Sequence, residues 1–493
     1  AKFAALTGVK VLTEREVIAL HPDTKEAIVK NQRTGAEESY SFDTCIIASG
    51  ASAIVPRVSG ADLPGVFTMR TPDDAIETKE YMISSGAKRA VVAGGGFIGL
   101  EIAENLMTQG LAVTVIDMAD QIMPGFDREL ADYVKRHLEK KGIKVLLNTK
   151  LEAIVGQTKA EGVKTDQGEL KAVMSLGIRP NTAFLKDSGV NLMPNGTIVV
   201  DEMLRTNVPD VYAAGDCVCV KNRMTGKTAW SPMGSSANME GRTLAEGIAG
   251  KSVSYSGVLG TAVIRLPELN GGRTGLSEEA AKAEGYDTET VTCVVDDKAH
   301  YYPGAGSFII KLIADRTSRR LLGVQVLGQG AVDKVIDIGV VALTMGAELS
   351  KLQNMDLAYA PPFSTAIHPF VTAVNILVNK LDGMLESMTP AEFAKGAAKE
   401  YKIVDASLQP SISGAPYVDV TTVDRPIDGL EKDEKLLLVC AKGKRGYLLQ
   451  NRLKYYGYTN TKVLEGGLFV NTVKVQEEVT VSQEDIKRVG IPA

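Results

Sequence analysis

From residue 8 to residue 60, short apolar runs alternate with polar turns, as in Val9-Lys10-Val11-Leu12 and Ala27-Ile28-Val29. The series ends in Cys45-Ile46-Ile47-Ala48-Ser49-Gly50, an apolar strand that breaks into small residues. Phe67-Thr68-Met69-Arg70 still reads as extended, so Thr71-Pro72-Asp73-Asp74 is the predicted start of the next helix. A buried strand, Ala90-Val91-Val92-Ala93, then leads through glycines into an amphipathic helix and a second strand, Val113-Thr114-Val115-Ile116. That order predicts a parallel βαβ unit. Residues 127–142 predict another helix and Lys144-Val145-Leu146-Leu147 another strand. Around 250–385 the pattern changes to strands (Ser307 to Ile313, Leu321 to Leu327) followed by long apolar helices. After Gly383 a fresh start appears: Met388-Thr389-Pro390-Ala391-Glu392-Phe393 predicts a capped helix opening a separate unit of roughly 105 residues, within the usual domain range.

The chain has 493 residues, about three domains at roughly 100–200 residues each. Fifty-five Lys and Arg against 60 Asp and Glu give a net charge of −5, too balanced for a general binder of nucleic acid or of membrane surfaces. No apolar run reaches the ~18 residues of a spanning helix, and no signal peptide opens the chain. Five scattered cysteines argue against a secreted disulfide scaffold. The expectation is a cytoplasmic, multidomain, mixed α/β protein.

Gly94-Gly95-Gly96-Phe97-Ile98-Gly99 follows a strand and opens a helix that continues through Glu101. Glycines there permit the tight turn and let backbone N–H groups approach a pyrophosphate at the helix N-terminus. The second strand ends at Asp117, the acidic position expected to hold a ribose 2′-hydroxyl, and Met118-Ala119-Asp120 after it brings no Arg for a 2′-phosphate. This predicts NADH in preference to NADPH. A second constellation, Thr206-Asn207-Val208-Pro209-Asp210-Val211-Tyr212-Ala213-Ala214-Gly215-Asp216, is by itself a turn, a strand and an acid at its end. Read from the residues alone, Asp216 is equally a helix cap or a satisfied core carboxylate. In the last unit Leu436-Leu437-Leu438-Val439 is a buried strand that stops at Cys440, and Ala441-Lys442-Gly443-Lys444-Arg445 leads into a helix. A cysteine in a loop of N–H groups at a helix N-terminus, with cations beside it, is expected to ionise easily and to hold an anionic persulfide. The alternative is a buried, inert cysteine. Cys45 reads as core, Cys217 and Cys219 are too close for C-x-x-C redox geometry, and Cys293 lies in a strand-like run. No His cluster suggests a metal.

Together with Ala48-Ser49-Gly50 and Ser175-Leu176-Gly177-Ile178-Arg179-Pro180-Asn181, these motifs resemble the flavin-dependent pyridine nucleotide–disulfide oxidoreductases over residues 1 to about 385. The resemblance implies two Rossmann-like nucleotide-binding domains: FAD on residues 1–85 with 180–255, and NAD on 86–179. It also implies an α+β dimerisation domain at 256–383. Ala48, Ser49, Gly50, Gly177, Gly215, Asp216 and Ala237 would face the cofactors, the Gly-Asp pair at the flavin ribityl chain. Tyr301-Tyr302-Pro303-Gly304-Ala305 and Ala358-Tyr359-Ala360-Pro361-Pro362-Phe363 are similar to coenzyme A-disulfide reductases and NADH oxidases. Tyr359 would reach the partner's flavin in a homodimer and aid thiol chemistry; the alternative is a plain interface aromatic. His368 nearby reads as structural.

Residues 388–493 resemble an α/β rhodanese domain through the C-x-x-G-x-R spacing from Cys440 to Arg445, Gly457-Tyr458 and Leu464-Glu465-Gly466-Gly467. Val404-Asp405-Ala406-Ser407 replaces the usual Val-Asp-Val-Arg, and the Gly-His-Ile-Pro-Gly-Ala stretch is unrecognisable near Gly414, which weighs against classical thiosulfate turnover. The implied activity is an FAD-containing, NADH-dependent reductase of coenzyme A disulfide, coenzyme A persulfide or polysulfide, with coenzyme A as substrate or bound ligand. An NADH oxidase or peroxidase, or a flavin-less binding module, is the alternative. The first Gly-rich turn and the flavin-facing cysteine of such enzymes are not in the sequence, and Lys171 to Val173 is shorter than in relatives, so residues are expected to be missing at both places. A fused sulfur carrier on a short flexible tether would raise the local sulfur concentration at the reductase centre.

Overall fold

The structure, a computed structural model, describes residues 2–54, 57–170 and 178–475. The backbone groups into two compact units, one of residues up to Pro124 with Val134–Thr261, the other of Gly125–Tyr133 with the residues from Ala262 onward.

In the first unit Arg89–Ala93, Ala112–Ile116 and Lys144–Leu146 form a parallel sheet, with Val92 opposite Val115 and Thr114 opposite Lys144. Val91, Val92, Val113, Val115 and Ile116 are buried, the near-continuous β-branched run that a doubly covered parallel sheet requires. The Phe97–Thr108 helix joins the first two strands and turns Leu100 and Ala103, both 0% exposed, onto them. Leu100 alone is worth about 1.5–3 kcal/mol of burial. The expected βαβ unit is present. Cys45–Ile47 pairs in parallel with Val211–Ala213, and Ala51–Ala53 pairs with Ile178–Pro180. Around this pair Leu20, Ile47, Ile198, Leu204, Val211 and Leu244 form one core. The Pro72–Ser85 helix begins where expected, with reciprocal Thr71–Asp74 capping and Pro72 in its first turn. Val9-Lys10-Val11-Leu12 differs from its apolar reading: it is exposed and lies outside every strand, because no neighbouring strand among the described residues takes up its main-chain groups.

In the second unit five antiparallel strands run in the order Ala262–Leu266, Leu269–Gly275, Leu321–Gly328, Ser307–Asp315, Thr288–Asp296. The Val332–Thr344 and Pro369–Leu381 helices bury Ile336, Leu343, Phe370 and Leu377. The C-terminal part is a parallel sheet ordered Ser387–Met388, Thr461–Leu464, Leu436–Val439, Lys402–Asp405, with the Lys444–Tyr455 helix following the central strand. Thr389 and Glu392 form the expected capping box, although the helix they start is only Pro390–Ala394. This sheet groups with the antiparallel one in a single unit rather than standing apart on a tether.

Gly125–Tyr133 falls in the second unit although its neighbours in sequence do not, and buried charge explains why. Lys311, 1% exposed, meets Asp127 at 3.1 Å, Glu129 at 2.5 Å and Glu278 at 2.8 Å. Gln325 donates to Asp127 Oδ2 at 2.8 Å and accepts its N–H at 2.9 Å. Burial opposes the charge on Glu278, yet Lys311 and Lys282 outweigh it and hold that carboxyl at about 2. Lys311→Met leaves Asp127 and Glu129 without their cation and Glu278 with Lys282 alone, a loss of about 3–5 kcal/mol, or roughly 10 °C in unfolding temperature. Because Glu278 is depressed, the stabilisation is complete above its ordinary pKa and is lost as pH falls toward 2. The gap between wild type and variant should therefore be narrower at about pH 3 than at about pH 6. Thermal melts at both pH values check this, and an unchanged gap would contradict it.

Candidate active site

The strand Arg89–Ala93 delivers Gly94 with φ +119°, a conformation open to glycine, and its N–H donates to Ile116 O at 2.8 Å. At Gly99 a Cβ would stand 2.0 Å from Gly94 O, so only glycine lets the helix start this close to the strand. The Phe97–Thr108 helix has Gly96 as its N-cap and no side-chain cap, and open space lies where a Cβ of Gly94 or Gly96 would be. An uncapped helix N-terminus beside open space fits a pyrophosphate. Asp117 is fixed by two main-chain donors, Gly95 N–H on Oδ2 at 2.6 Å and Ala119 N–H on Oδ1 at 2.8 Å. The acid at the end of the second strand is thus tied to the glycine turn itself. Ile98 and Glu101 stand exposed on the outer face of the helix, while Phe97 is half-buried.

The Ala48-Ser49-Gly50 turn is pinned to Asn181 on three sides. Ser49 Oγ donates to Asn181 O at 2.6 Å, the Asn181 amide donates to Ser49 O at 3.0 Å, and Asn181 N–H donates to Gly50 O at 2.9 Å. A cleft of about 800 Å³ is lined by Ala48, Ser49, Ser52 and Asn181. Gly215 N–H donates to buried Glu240 at 2.7 Å, and a Cβ at Gly215 would lie 3.7 Å from the Ala237 methyl. Asp216 pairs with Arg70 at 2.5 Å, and Trp230 Nε1–H donates to its carbonyl at 2.9 Å. Burial pushes the Glu240 carboxyl up, the Gly215 N–H pulls it down and the Asp216 charge adds to the rise. Arg70, Glu240 and Trp230 were not among the expected site residues. Trp230 had a signal, being the one tryptophan of the chain. Gly177 and the Lys171–Val173 stretch lie outside the described residues.

Cys440 ends the strand Leu436–Val439, is 2% exposed, and its Sγ accepts Gly443 N–H at 3.2 Å. Gly443 is also the N-cap of the Lys444–Tyr455 helix, which has no side-chain cap. Two of the cations beside the cysteine, Arg445 and Lys442, are committed elsewhere. Arg445 donates to Ala406 O at 3.0 Å and to Asp419 at 2.9 Å, and Lys442 reaches Asp296 at 2.7 Å and Ser307 at 2.8 Å. Arg445 therefore anchors the loop, and its hydrogen bonds do not run to the sulfur. Asp405 is 0% exposed, and although burial opposes its charge, hydrogen bonds from Ser407, Ser411 and Ile412 hold its carboxyl below the ordinary range. It organises the turn from Ser407 to Ile412.

The other cysteines sit in structural surroundings. Cys217 and Cys219 point their thiols at the Ala214 and Ile198 carbonyls, at 3.4 Å and 3.2 Å, and burial raises both. Burial raises Cys45 as well and, with the Glu465 charge, pushes Cys293 up to about 12. His368 is a helix cap, its Nδ1 accepting Phe370 N–H at 3.2 Å; burial and Lys334 lower it to about 4. Tyr359 is half exposed, with Phe363, Ile367 and Tyr301 also exposed in the same unit. Among the described residues no group of His, Cys, Asp and Glu is arranged to hold a metal ion, and no helix is long and apolar enough to cross a membrane.

Residues 3–234 match the family model of the pyridine nucleotide-disulphide oxidoreductases, and residues 263–370 match the dimerisation domain of the same family. The chain is 36% identical over 379 residues to the NAD(P)H coenzyme A polysulfide/persulfide reductase of Pyrococcus horikoshii, covering 76% of this chain and 84% of that one. It is similar to the structure of a NAD-dependent persulfide reductase from A. fulgidus, with TM-score 0.89 and 34% identity over 95% of this chain and 87% of that one. A reduced CoADR-RHD from Bacillus anthracis is similar as well, with TM-score 0.88 and 29% identity over 95% of this chain and 86% of that one. With one nucleotide turn, one Ala-Ser-Gly turn and one Gly-Asp pair in the family's order, the chain belongs to the pyridine nucleotide–disulphide oxidoreductases.

Proposed function

We propose that this chain is a flavin-dependent reductase that carries two electrons from NADH to the sulfur–sulfur bond of coenzyme A persulfide, coenzyme A disulfide or polysulfide. Its C-terminal parallel sheet is a rhodanese-like sulfur carrier. The balance is simple: NADH and one proton convert coenzyme A disulfide to two thiols, or coenzyme A persulfide to one thiol and hydrogen sulfide. The observation that carries the reading is Cys440, at the end of a buried strand with Gly443 N–H on its sulfur. The named activities of the similar proteins support it, as does the likeness to two solved structures over 95% of this chain.

FAD, when bound, relays electron pairs between a nicotinamide and a sulfur bond. Ala48, Ser49, Gly50, Gly215, Asp216 and Ala237 would hold it; the cleft lined by Ala48, Ser49 and Asn181 leaves room beside the Ala-Ser-Gly turn. Gly94, Gly96, Phe97, Ile98 and Gly99 would seat the dinucleotide phosphates, and Asp117 the ribose hydroxyls. Cys440 would accept a sulfane sulfur as a persulfide, its negative charge stabilised by Gly443 N–H and by the N-terminus of the Lys444–Tyr455 helix. Tyr359, exposed in the dimerisation domain, would orient or protonate a thiol in the partner's site, so the working form is a homodimer. Five free cysteines suit the cytoplasm.

Anaerobic NADH consumption by the flavin-loaded protein tests the proposal, with coenzyme A disulfide, coenzyme A persulfide and polysulfide as acceptors. Each should support turnover faster than oxygen does in an aerated control. Oxygen matching the best sulfur acceptor would favour the NADH oxidase reading instead.

A further inference from the structure

The strand Thr288–Asp296 is an edge of the five-stranded sheet, so its outward main-chain groups need other partners. Two side chains supply them. Lys380 Nζ donates to Thr290 O at 2.8 Å, and Glu465 Oε2 accepts Thr292 N–H at 2.7 Å. Lys380 and Glu465 also meet each other at 2.7 Å, with side chains 12% and 3% exposed. Ser387 Oγ donates to the same carboxylate at 2.6 Å, and Glu289 lies 3.2 Å from Lys380. A buried pair of this kind adds little that apolar packing would not. What directed hydrogen bonds add is a single geometry.

That geometry is transmitted to the sulfur loop. Glu465 follows the strand Thr461–Leu464 and precedes Gly466 and Gly467, and a Cβ on Gly467 would stand 2.0 Å from Cys440 O. Leu468 N–H donates to Cys440 O at 3.0 Å and Phe469 N–H to Ala441 O at 2.9 Å. Lys442, inside the loop, makes a second tie to the same edge strand at Asp296. A cavity of about 550 Å³, lined by Thr292, Asn379, Ser387, Gly443, Lys444 and Glu465, leaves the loop without close packing on that side. Cys440 itself packs with Val404, Ala406 and Leu449, and on the cavity side polar ties hold the loop.

We propose that Lys380 and Glu465 are positioning residues for the sulfur-carrying loop, holding Cys440 at a fixed place against the dimerisation sheet. This rests on the reading of Cys440 as the carrier. The test uses the full-length, flavin-loaded enzyme with Glu465→Gln, Lys380→Met and the milder Ser387→Ala. Iodoacetamide labelling, mapped cysteine by cysteine, should quicken at Cys440 by roughly tenfold in the first two variants as the loop loosens, and less in Ser387→Ala. Labelling of Cys217, and amide hydrogen exchange at Val324 and Val326 in the middle of the antiparallel sheet, should stay at the wild-type rate. With polysulfide, kcat should fall while KM for NADH is unchanged. A parallel rise in exchange at Val324 and Val326 would mean that the pair merely stabilises the whole unit, and unchanged labelling at Cys440 would mean that it positions nothing; either overturns the proposal. Cys440→Ser separates this from the underlying reading. If it leaves polysulfide turnover intact, the carrier role falls, while the labelling rates still decide whether the pair holds the loop.

Discussion

Cys440→Ser should lower NADH consumption with polysulfide or coenzyme A persulfide by roughly tenfold or more, and leave flavin content and coenzyme A disulfide reduction at the wild-type level. The serine hydroxyl can still accept Gly443 N–H, so the loop keeps its shape, but it cannot carry a sulfane sulfur. Flavin and dinucleotide sites are assigned to the other compact unit, which this substitution does not touch. Arg445→Ala should show the same selectivity more weakly. Its guanidinium serves Ala406 and Asp419, so its loss loosens the loop and removes no ligand of the sulfur. Steady-state kinetics with the three acceptors checks the pattern. If Cys440→Ser left every sulfur acceptor unaffected, the C-terminal sheet would be a structural appendage and the activity a plain disulfide reductase or oxidase.

What could be read from the chain is what neighbours in sequence decide. The Gly94–Gly99 turn, the capping boxes at Thr71 and Thr389 and the strand stopping at Cys440 each sit within a few residues, where spacing alone restricts the backbone. Pairs between distant positions leave no such trace. Arg70 and Asp216 are 146 residues apart, Lys311 and Glu129 are 182 apart, and Lys380 and Glu465 are 85 apart. Residues Gly125–Tyr133 change unit for the same reason, since Asp127 and Glu129 read as surface acids until Lys311 and Gln325 come to meet them. Such long-range ties also replace the expected flexible tether. With Lys442 on Asp296 and Glu465 on Thr292, the Cys440 loop is docked on the dimerisation sheet. An effective concentration calculated for a floppy linker does not apply to it.

Wild-type enzyme should use NADH in preference to NADPH by at least ~100-fold in kcat/KM, since a like-charge contact in a partly buried site costs several kcal/mol and each 1.4 kcal/mol is tenfold. The charge at issue is Asp117, half-buried at the end of its strand, and Met118, Ala119 and Asp120 bring no cation to offset it. The structure adds a reason to choose the substitution carefully. Asp117 Oδ2 holds Gly95 N–H at 2.6 Å, so Asp117→Ala removes charge and also unties the glycine turn, weakening both dinucleotides. Asp117→Asn removes the charge and keeps an oxygen for one of the two main-chain donors, so it disturbs the turn less than alanine. It should bring the NADH:NADPH ratio down by roughly tenfold or more, mainly by improving NADPH. Asp117→Ala should reduce the ratio as well, but with a larger loss of NADH activity. Equal kcat/KM for the two cofactors in the wild-type enzyme would remove the ribose role of Asp117, leaving it a residue that only ties the turn.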